Sequence, residues 1–194
     1  MDAFETLVSA LLVKEGYWTQ TGFKVELTKE EKREISRPSS PRWEIDVVAY
    51  KGKGNHVLAI ECKSYLDSVG VQYAGVSGEN KEDAKRYKLF NDALLRKVVL
   101  QRLGKQLVEI GACPRMPTIT LCLAVGKVKS EKDRENLKRL FERKGWDLLD
   151  DEWIRGKLTS VADGGYEDNV ASVAAKILLR QGKKIQNHPN LQAE

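Results

Sequence analysis

Three observations predict an α/β domain. Segments with apolar residues at helical spacing alternate with β-branched runs. Two of those runs flank a glycine-containing turn. The 194 residues, 41% apolar and 31% charged, suffice for one well-buried core. At roughly 150 residues per domain the length favours one domain, read here as residues 1–182 with a polar tail over 183–194.

The elements follow in order. Phe4, Leu7, Val8, Leu11 and Leu12 recur at helical spacing and Gly16 ends the pattern, so an amphipathic helix comes first. Glu5 lies on the border of its apolar stripe, on the side of Val8 and Leu12. Residues 17–27 read as a strand, and the polar stretch 28–42, ending RPSSPR, as a loop. WEIDVVAY (43–50) and VLAIECKSY (57–65) around KGKGNH predict a hairpin. Residues 64–83, with Gly70, Gly75 and Gly78 and no sustained period, read as a mobile loop.

From about Asp83 to Ile110 the apolar spacing predicts one helix, with Leu89, Ala93, Leu100, Leu103, Leu107 and Ile110 on one face and Gly111 and Pro114 as its stop. TITLCLAVGKV (118–128) reads as a buried strand. Ser130 with Asp133 resembles an N-cap for a helix over 131–144 that Gly145 closes. Residues 146–163 read as a short strand and a loop. A last helix over 167–181 places Val170, Val173, Ala174, Ile177 and Leu178 on one side. The predicted order is αβββαβα.

Lys and Arg exceed Asp and Glu by 33 − 28 = 5, which suits a polyanionic partner without demanding one. Cys62, Cys113 and Cys122 show no metal-ligand spacing. A sparse, odd count argues against a disulfide framework and fits a reducing cytoplasm. The first apolar stretch carries Asp2 and Glu5 where a signal peptide carries Lys or Arg. No run approaches the ~18 apolar residues of a membrane span, so no membrane partner is expected.

The informative constellation is Asp46, fourteen residues, then Glu61-Cys62-Lys63. Val57 to Ile60 are apolar on both faces, as in a strand covered on both sides. Alternation then puts Glu61 and Lys63 on one face and Cys62 on the other. Charges at such a position are costly unless they are paired or bind a metal. A turn centred between Lys53 and Gly54 sets 46 opposite 61 and 44 opposite 63. Opposed residues share a face, so Asp46, Glu61 and Lys63 converge; a one-residue slip removes the convergence. Two carboxylates on rigid strands suit a hard divalent cation such as Mg²⁺, which prefers oxygen ligands and keeps several waters. Such an ion activates water against a phosphodiester, and a neighbouring lysine positions that water or offsets developing charge.

Asp46…Glu61-x-Lys63 on a hairpin, with Glu5 on a preceding helix, resembles the PD-(D/E)XK nuclease superfamily. ETLVSALLVKEGY, IDVVAY and LAIECKSY look most like archaeal Holliday-junction resolvases and related restriction enzymes. The resemblance covers about residues 1–65; beyond them only the element order matches. It implies a restriction-endonuclease-like αβββαβ core, a mixed central sheet flanked by helices. It also implies a Mg²⁺- or Mn²⁺-dependent endonuclease hydrolysing DNA phosphodiesters in restriction, repair or recombination. Asp46, Glu61 and the backbone carbonyl of Cys62 would hold the ion, Lys63 would assist the attacking water, and Glu5 would orient Lys63 or touch the hydration shell. No proline immediately precedes Asp46; Pro41 is the nearest upstream.

The bland readings run beside these. A half-exposed hairpin salt bridge accounts for Asp46, Glu61 and Lys63 at little gain in stability. A first-turn glutamate favoured by the helix dipole accounts for Glu5. Lys81, Lys85, Arg86 and Lys88, with Tyr87 and nearby Tyr73, form a candidate DNA-tracking cluster, and Gln20 a candidate phosphate contact. Solvated helix and strand faces explain the same residues. One site per chain suits a homodimer or a partner subunit when both strands of a duplex are cut. A non-catalytic DNA-binding module is the alternative to the enzyme.

Overall fold

The computed structural model describes residues 2–37, 39, 42–165 and 169–179. The chain divides into two compact units, residues 1–154 and 155–194. The first is an α/β unit: α1 (Ala3–Lys14), β1 (Trp18–Val25), α2 (Lys29–Glu34), β2 (Trp43–Lys51), β3 (His56–Lys63), α3 (Tyr73–Ser77), α4 (Lys81–Ala84), α5 (Lys88–Asn91), α6 (Ala93–Glu109), β4 (Thr118–Val125), α7 (Glu131–Lys144) and β5 (Asp147–Leu149). α8 (Asp151–Asp163) contains the boundary, and α9 (Val170–Leu179) belongs to the second unit. Among the described residues no helix is long and apolar enough to cross a membrane.

Five strands form one mixed sheet in the order β1-β2-β3-β4-β5, with β1–β2 and β2–β3 antiparallel and β3–β4 and β4–β5 parallel. Helices flank it. Val57 and Ala59 of β3 and Leu121, Leu123 and Val125 of β4 share one core cluster with Leu95, Val99 and Leu103 of α6 and Leu137 and Phe141 of α7. The intervening Leu58, Ile60 and Cys122 are also buried but lie outside that cluster, and α1 packs over β1, β2 and β3 with Phe4, Val8, Leu11 and Leu12 inward. Both faces of β3 are therefore covered, which is why the run before Glu61 is apolar throughout.

The hairpin register is the one its turn dictates. Lys51 pairs with His56 and Val47 with Ile60. Gly54 (φ 85) and Asn55 (φ 48) supply the left-handed backbone, and Asn55 fastens the turn by donating from Nδ2 to the carbonyls of Arg115 (3.2 Å) and Met116 (3.0 Å).

Several segments differ from the sequence reading, each for a local reason. Residues 28–42 contain α2, because Thr28 and Glu31 form a capping box. The helix expected over 83–110 begins only at Ala93, where Asp92 Oδ1 accepts from the Leu95 N–H at 2.9 Å. Before it, α4 and α5 are single turns, and α5 with its N-cap buries Tyr87, Leu89 and Phe90. The strand expected over 118–128 ends at Val125. At the next residue, Gly126, a Cβ would run into the carbonyl of Ser64. Residues 151–163 are helical where a loop was expected, with Asp150 Oδ1 accepting from the Trp153 N–H at 2.9 Å. In α9, Val170, Val173, Ala174, Ile177 and Leu178 share one side as the spacing indicates, and that side is exposed, while Ser172 and Ala175 are buried. Lys176, on the same side as Ser172 and Ala175, donates to the carbonyl of Ala162 near the end of α8. The tail over 183–194 lies outside the described residues.

The largest difference is at residues 64–83, which are tied down. Val71 bridges Val128 in parallel, its N–H donating to Lys127 O (2.8 Å) and its carbonyl accepting from Lys129 N–H (3.0 Å). Val71 and Val76 are buried. Gly70 makes this possible: its φ is +93°, and a Cβ there would lie 2.8 Å from Lys127 O. Gly70→Ala is therefore expected to cost about 1–3 kcal/mol, read as a lower urea midpoint; an unchanged midpoint would refute the docking account.

Candidate active site

β1 and β2 both switch sheet face at one level. In β2, Val48 and Tyr50 lie against the α6-side core, and so do Ile45 and Trp43, so alternation breaks between 45 and 48. In β1, Phe23 and Val25 lie against that core, while Gln20 and Trp18 line a concavity with Val48, Tyr50 and Leu107 of the same side. The break in β1 is at Gly22, whose φ of 60° re-aims the strand, and the Gly22–Asp46 position is the gap in an otherwise continuous pairing. Asp46 thus sits where its strand reverses and the ladder to β3 stops.

Its side chain takes over from the ladder. Asp46 Oδ2 accepts from the Cys62 backbone N–H at 2.7 Å. This charge-assisted bond holds the carboxylate against the end of β3. Oδ1 carries no hydrogen bond among the described residues. On the far side of Cys62, the carbonyl of Lys63 accepts from the Gly126 N–H at 2.9 Å, which fixes the backbone just past the motif.

Glu61 and Lys63 project from the same face of β3. Lys63 Nζ lies 3.9 Å from Glu61 Oε2, with the side chains only 20% and 16% exposed. Glu61 Oε1 is buried and has no hydrogen-bond partner. Burial, then the neighbouring Asp46 carboxylate, pushes the Glu61 carboxyl up to about 7, against the opposing pull of Lys63. Glu5 stands at the third position of α1, where its side chain closes a capping box with Asp2. Its carboxyl is also raised, first by burial, with Asp46 adding to the rise. The Cys62 thiol is pushed far up by burial and then by the charges of Asp46, Glu5 and Glu61.

Among the described residues no group of three or more His, Cys, Asp or Glu side chains is arranged to hold a metal ion. What is assembled is a carboxylate pair, Asp46 and Glu61, on either side of Cys62. The fit to a hard cation rests on the orphaned oxygen. A buried carboxylate oxygen without a donor, beside a second carboxylate, is costly as it stands and is relieved by a cation. Mg²⁺ commonly uses one or two carboxylates and keeps its waters, so a pair with a backbone carbonyl suffices.

The remaining sequence candidates are dispersed. Gln20 is exposed on the β1 edge strand and lines the concavity with Trp18 and Tyr50, which none of the carboxylates lines. Lys81 and Lys88 are exposed on separate single-turn helices. Lys85 is engaged by Glu82 at 2.7 Å. Tyr73 donates its backbone N–H to Asp133 at 2.8 Å and lines a shallow surface with Arg139 and Arg143. Arg86 lines a hollow with Tyr65 and Tyr87. No single helix face gathers them. Two features escaped the sequence reading: the reversal at Gly22, which a glycine inside a β-rich run signals, and Tyr65, a bulky residue at φ 43°, which no sequence pattern marks.

Comparison with family models, curated proteins and solved structures gives no match.

Proposed function

We propose that the protein is a metal-dependent DNA endonuclease of the PD-(D/E)XK type, with Asp46, Glu61, Lys63 and Glu5 as its machinery. The observation that carries the reading is the buried, partnerless Oε1 of Glu61 beside Asp46 at the stopped end of the β2–β3 ladder. Asp46, Glu61 and the Cys62 carbonyl are the groups that would hold Mg²⁺ or Mn²⁺. When bound, such an ion supplies a Lewis acid for the phosphodiester and a water of lowered pKa. The chain's own residues do the rest. Asp46, anchored on the Cys62 N–H, keeps its second oxygen aimed without needing to reorganise. Lys63, beside Glu61, orients the attacking water or offsets charge developing on the phosphate oxygens. Glu5, from α1, would touch the ion's hydration shell or orient Lys63. The net positive chain suits a DNA polyanion.

The test is cleavage of supercoiled plasmid, nicked plasmid and a four-way junction with Mg²⁺, Mn²⁺ or EDTA. Wild type is expected to cut only with metal, and Lys63→Ala to cut about 10²-fold more slowly. The preferred substrate separates junction resolution from restriction-like cutting. Equal cutting by the variant would place the chemistry elsewhere. DNA retained without cutting under any metal would leave a binding module and refute the enzyme.

A further inference from the structure

We propose that the hollow just beyond the end of β3 receives a single unstacked nucleobase. The proposal rests on the nuclease reading only for the source of the base. The hollow is about 190 Å³ and is walled by Tyr65, Ser68, Gln72, Asp83, Arg86 and Tyr87. Tyr65 is two residues past Lys63, so one wall of the hollow continues directly from the candidate active site.

The hollow is built before any ligand arrives. Tyr65 is held at φ 43°, a conformation that bulky residues rarely adopt, and strain of this kind persists only where the surroundings impose it. Tyr87, the second ring of the wall, is buried and packed in the core. Lys127 Nζ donates to the Ser68 carbonyl at 2.6 Å, and Lys129 Nζ donates to Gln72 Oε1 at 2.9 Å, so the strand-side wall is braced. A Cβ at Gly75, in the floor, would lie 2.9 Å from the Asp83 Cβ and 3.1 Å from the Tyr87 ring, so the floor depends on that glycine.

Its chemistry selects a neutral, flat, hydrogen-bonding ring. The wall carries one cation and one anion, Arg86 and Asp83, which fits neither a phosphate nor a metal ion. The Arg86 backbone N–H donates to the Asp83 carbonyl at 3.0 Å, and its guanidinium makes no hydrogen bond or ion pair among the described residues. Asp83 spends Oδ2 on the Asn80 amide at 2.8 Å and keeps Oδ1. Gln72 spends Oε1 on Lys129 and keeps its amide donors. Spare donors and a spare acceptor thus sit beside two phenol rings, the combination that reads the edge of an unstacked base and covers its face. The volume is below the roughly 300 Å³ of pockets for drug-sized ligands, so it takes one ring system rather than a stretch of strand.

The experiment has two arms, each on the full chain without added metal. In the first, 2′-deoxyadenosine and thymidine are titrated while the backbone amide signals of Gly70, Gln72 and Gly75 are followed by NMR. Wild type is expected to show saturable shifts, weakened about tenfold by Arg86→Ala and abolished by Ser68→Trp, which fills the hollow from an exposed position. In the second, DNA carrying 2-aminopurine around the cut site and a dye at one end is bound. The base is expected to brighten with wild type and not with Ser68→Trp, while dye anisotropy shows both bound. Nucleoside shifts without any DNA binding would support the pocket with free nucleosides as its source and would sink the nuclease reading instead. DNA bound without brightening, together with no nucleoside shifts, would overturn the pocket, and cutting of the same DNA once Mg²⁺ is added would leave the nuclease standing. Brightening that survives in both variants would place the base elsewhere and overturn it too.

Discussion

Asp46→Asn is expected to lower metal-dependent DNA cleavage about 10²- to 10³-fold while leaving the fold intact, and Asp46→Ala to lose both. The two variants separate the roles of one carboxylate. Oδ2 is structural: it accepts from the Cys62 N–H at 2.7 Å where β2 and β3 stop pairing. An asparagine oxygen accepts from the same N–H, so the strand end stays closed. Alanine leaves that N–H without a partner, at a cost of about 1–3 kcal/mol. Oδ1 is the oxygen available to a cation, and an amide there lacks the charge that a hard divalent ion requires. Plasmid cleavage and urea unfolding on both variants read the two roles independently. Near wild-type cutting by Asp46→Asn would remove Asp46 from the chemistry; an unshifted midpoint in Asp46→Ala would remove it from the fold.

Much of this arrangement was legible in the sequence. The hairpin register was legible, because the turn chemistry of Gly54 and Asn55 fixes it locally, but the ladder stops at Val47–Ile60, so Asp46 reaches the end of β3 through its bond to the Cys62 N–H and not by pairing with Glu61. The apolar stretch before Glu61 announced a strand covered on both faces, as α1 and α6 cover it. What stayed hidden is non-local. The docking of residues 64–83 depends on Val71 meeting Val128, more than fifty positions away, and on Gly70 fitting beneath Lys127. The division of the expected 83–110 helix turns on whether Tyr87 and Phe90 enter the core, which periodicity does not decide. The apolar residues of α9 share a side as their spacing indicates, but which side packs is a tertiary matter that periodicity does not decide. The orphaned oxygen of Glu61 has no sequence signature at all; it exists only because the sheet closes over one carboxylate oxygen and leaves the other to Lys63.

That oxygen makes the pH dependence of stability a direct test of the site. In metal-free buffer, Glu61→Gln is expected to gain on wild type by about 3 kcal/mol between about pH 4 and about pH 8. The Glu61 carboxyl rises from an ordinary 4.5 to about 7 in the folded chain, by burial first and Asp46 second. Between those values the folded chain keeps a proton that the unfolded chain has released, so folding stability falls as pH rises. The penalty is absent below about pH 4.5 and complete above about pH 7. Its side chain is only 16% exposed, so solvent screens little of it. Glutamine has the same shape and does not titrate, so any offset from the amide is independent of pH and the difference in slope belongs to Glu61. Urea midpoints of the two proteins across this range measure it, and parallel curves would show that the carboxyl is not raised. Mg²⁺ should act on the same penalty from the other side. It binds the ionised pair, stabilising wild type by about 2.7 kcal/mol at a hundred times its dissociation constant, and leaves Glu61→Gln nearly unchanged. Because the ion competes with the proton for that carboxylate, the gain should grow with pH through the same window. Stabilisation by Mg²⁺ that is equal in both proteins, or that is flat with pH, would place the cation away from Glu61 and remove the observation on which the nuclease proposal stands.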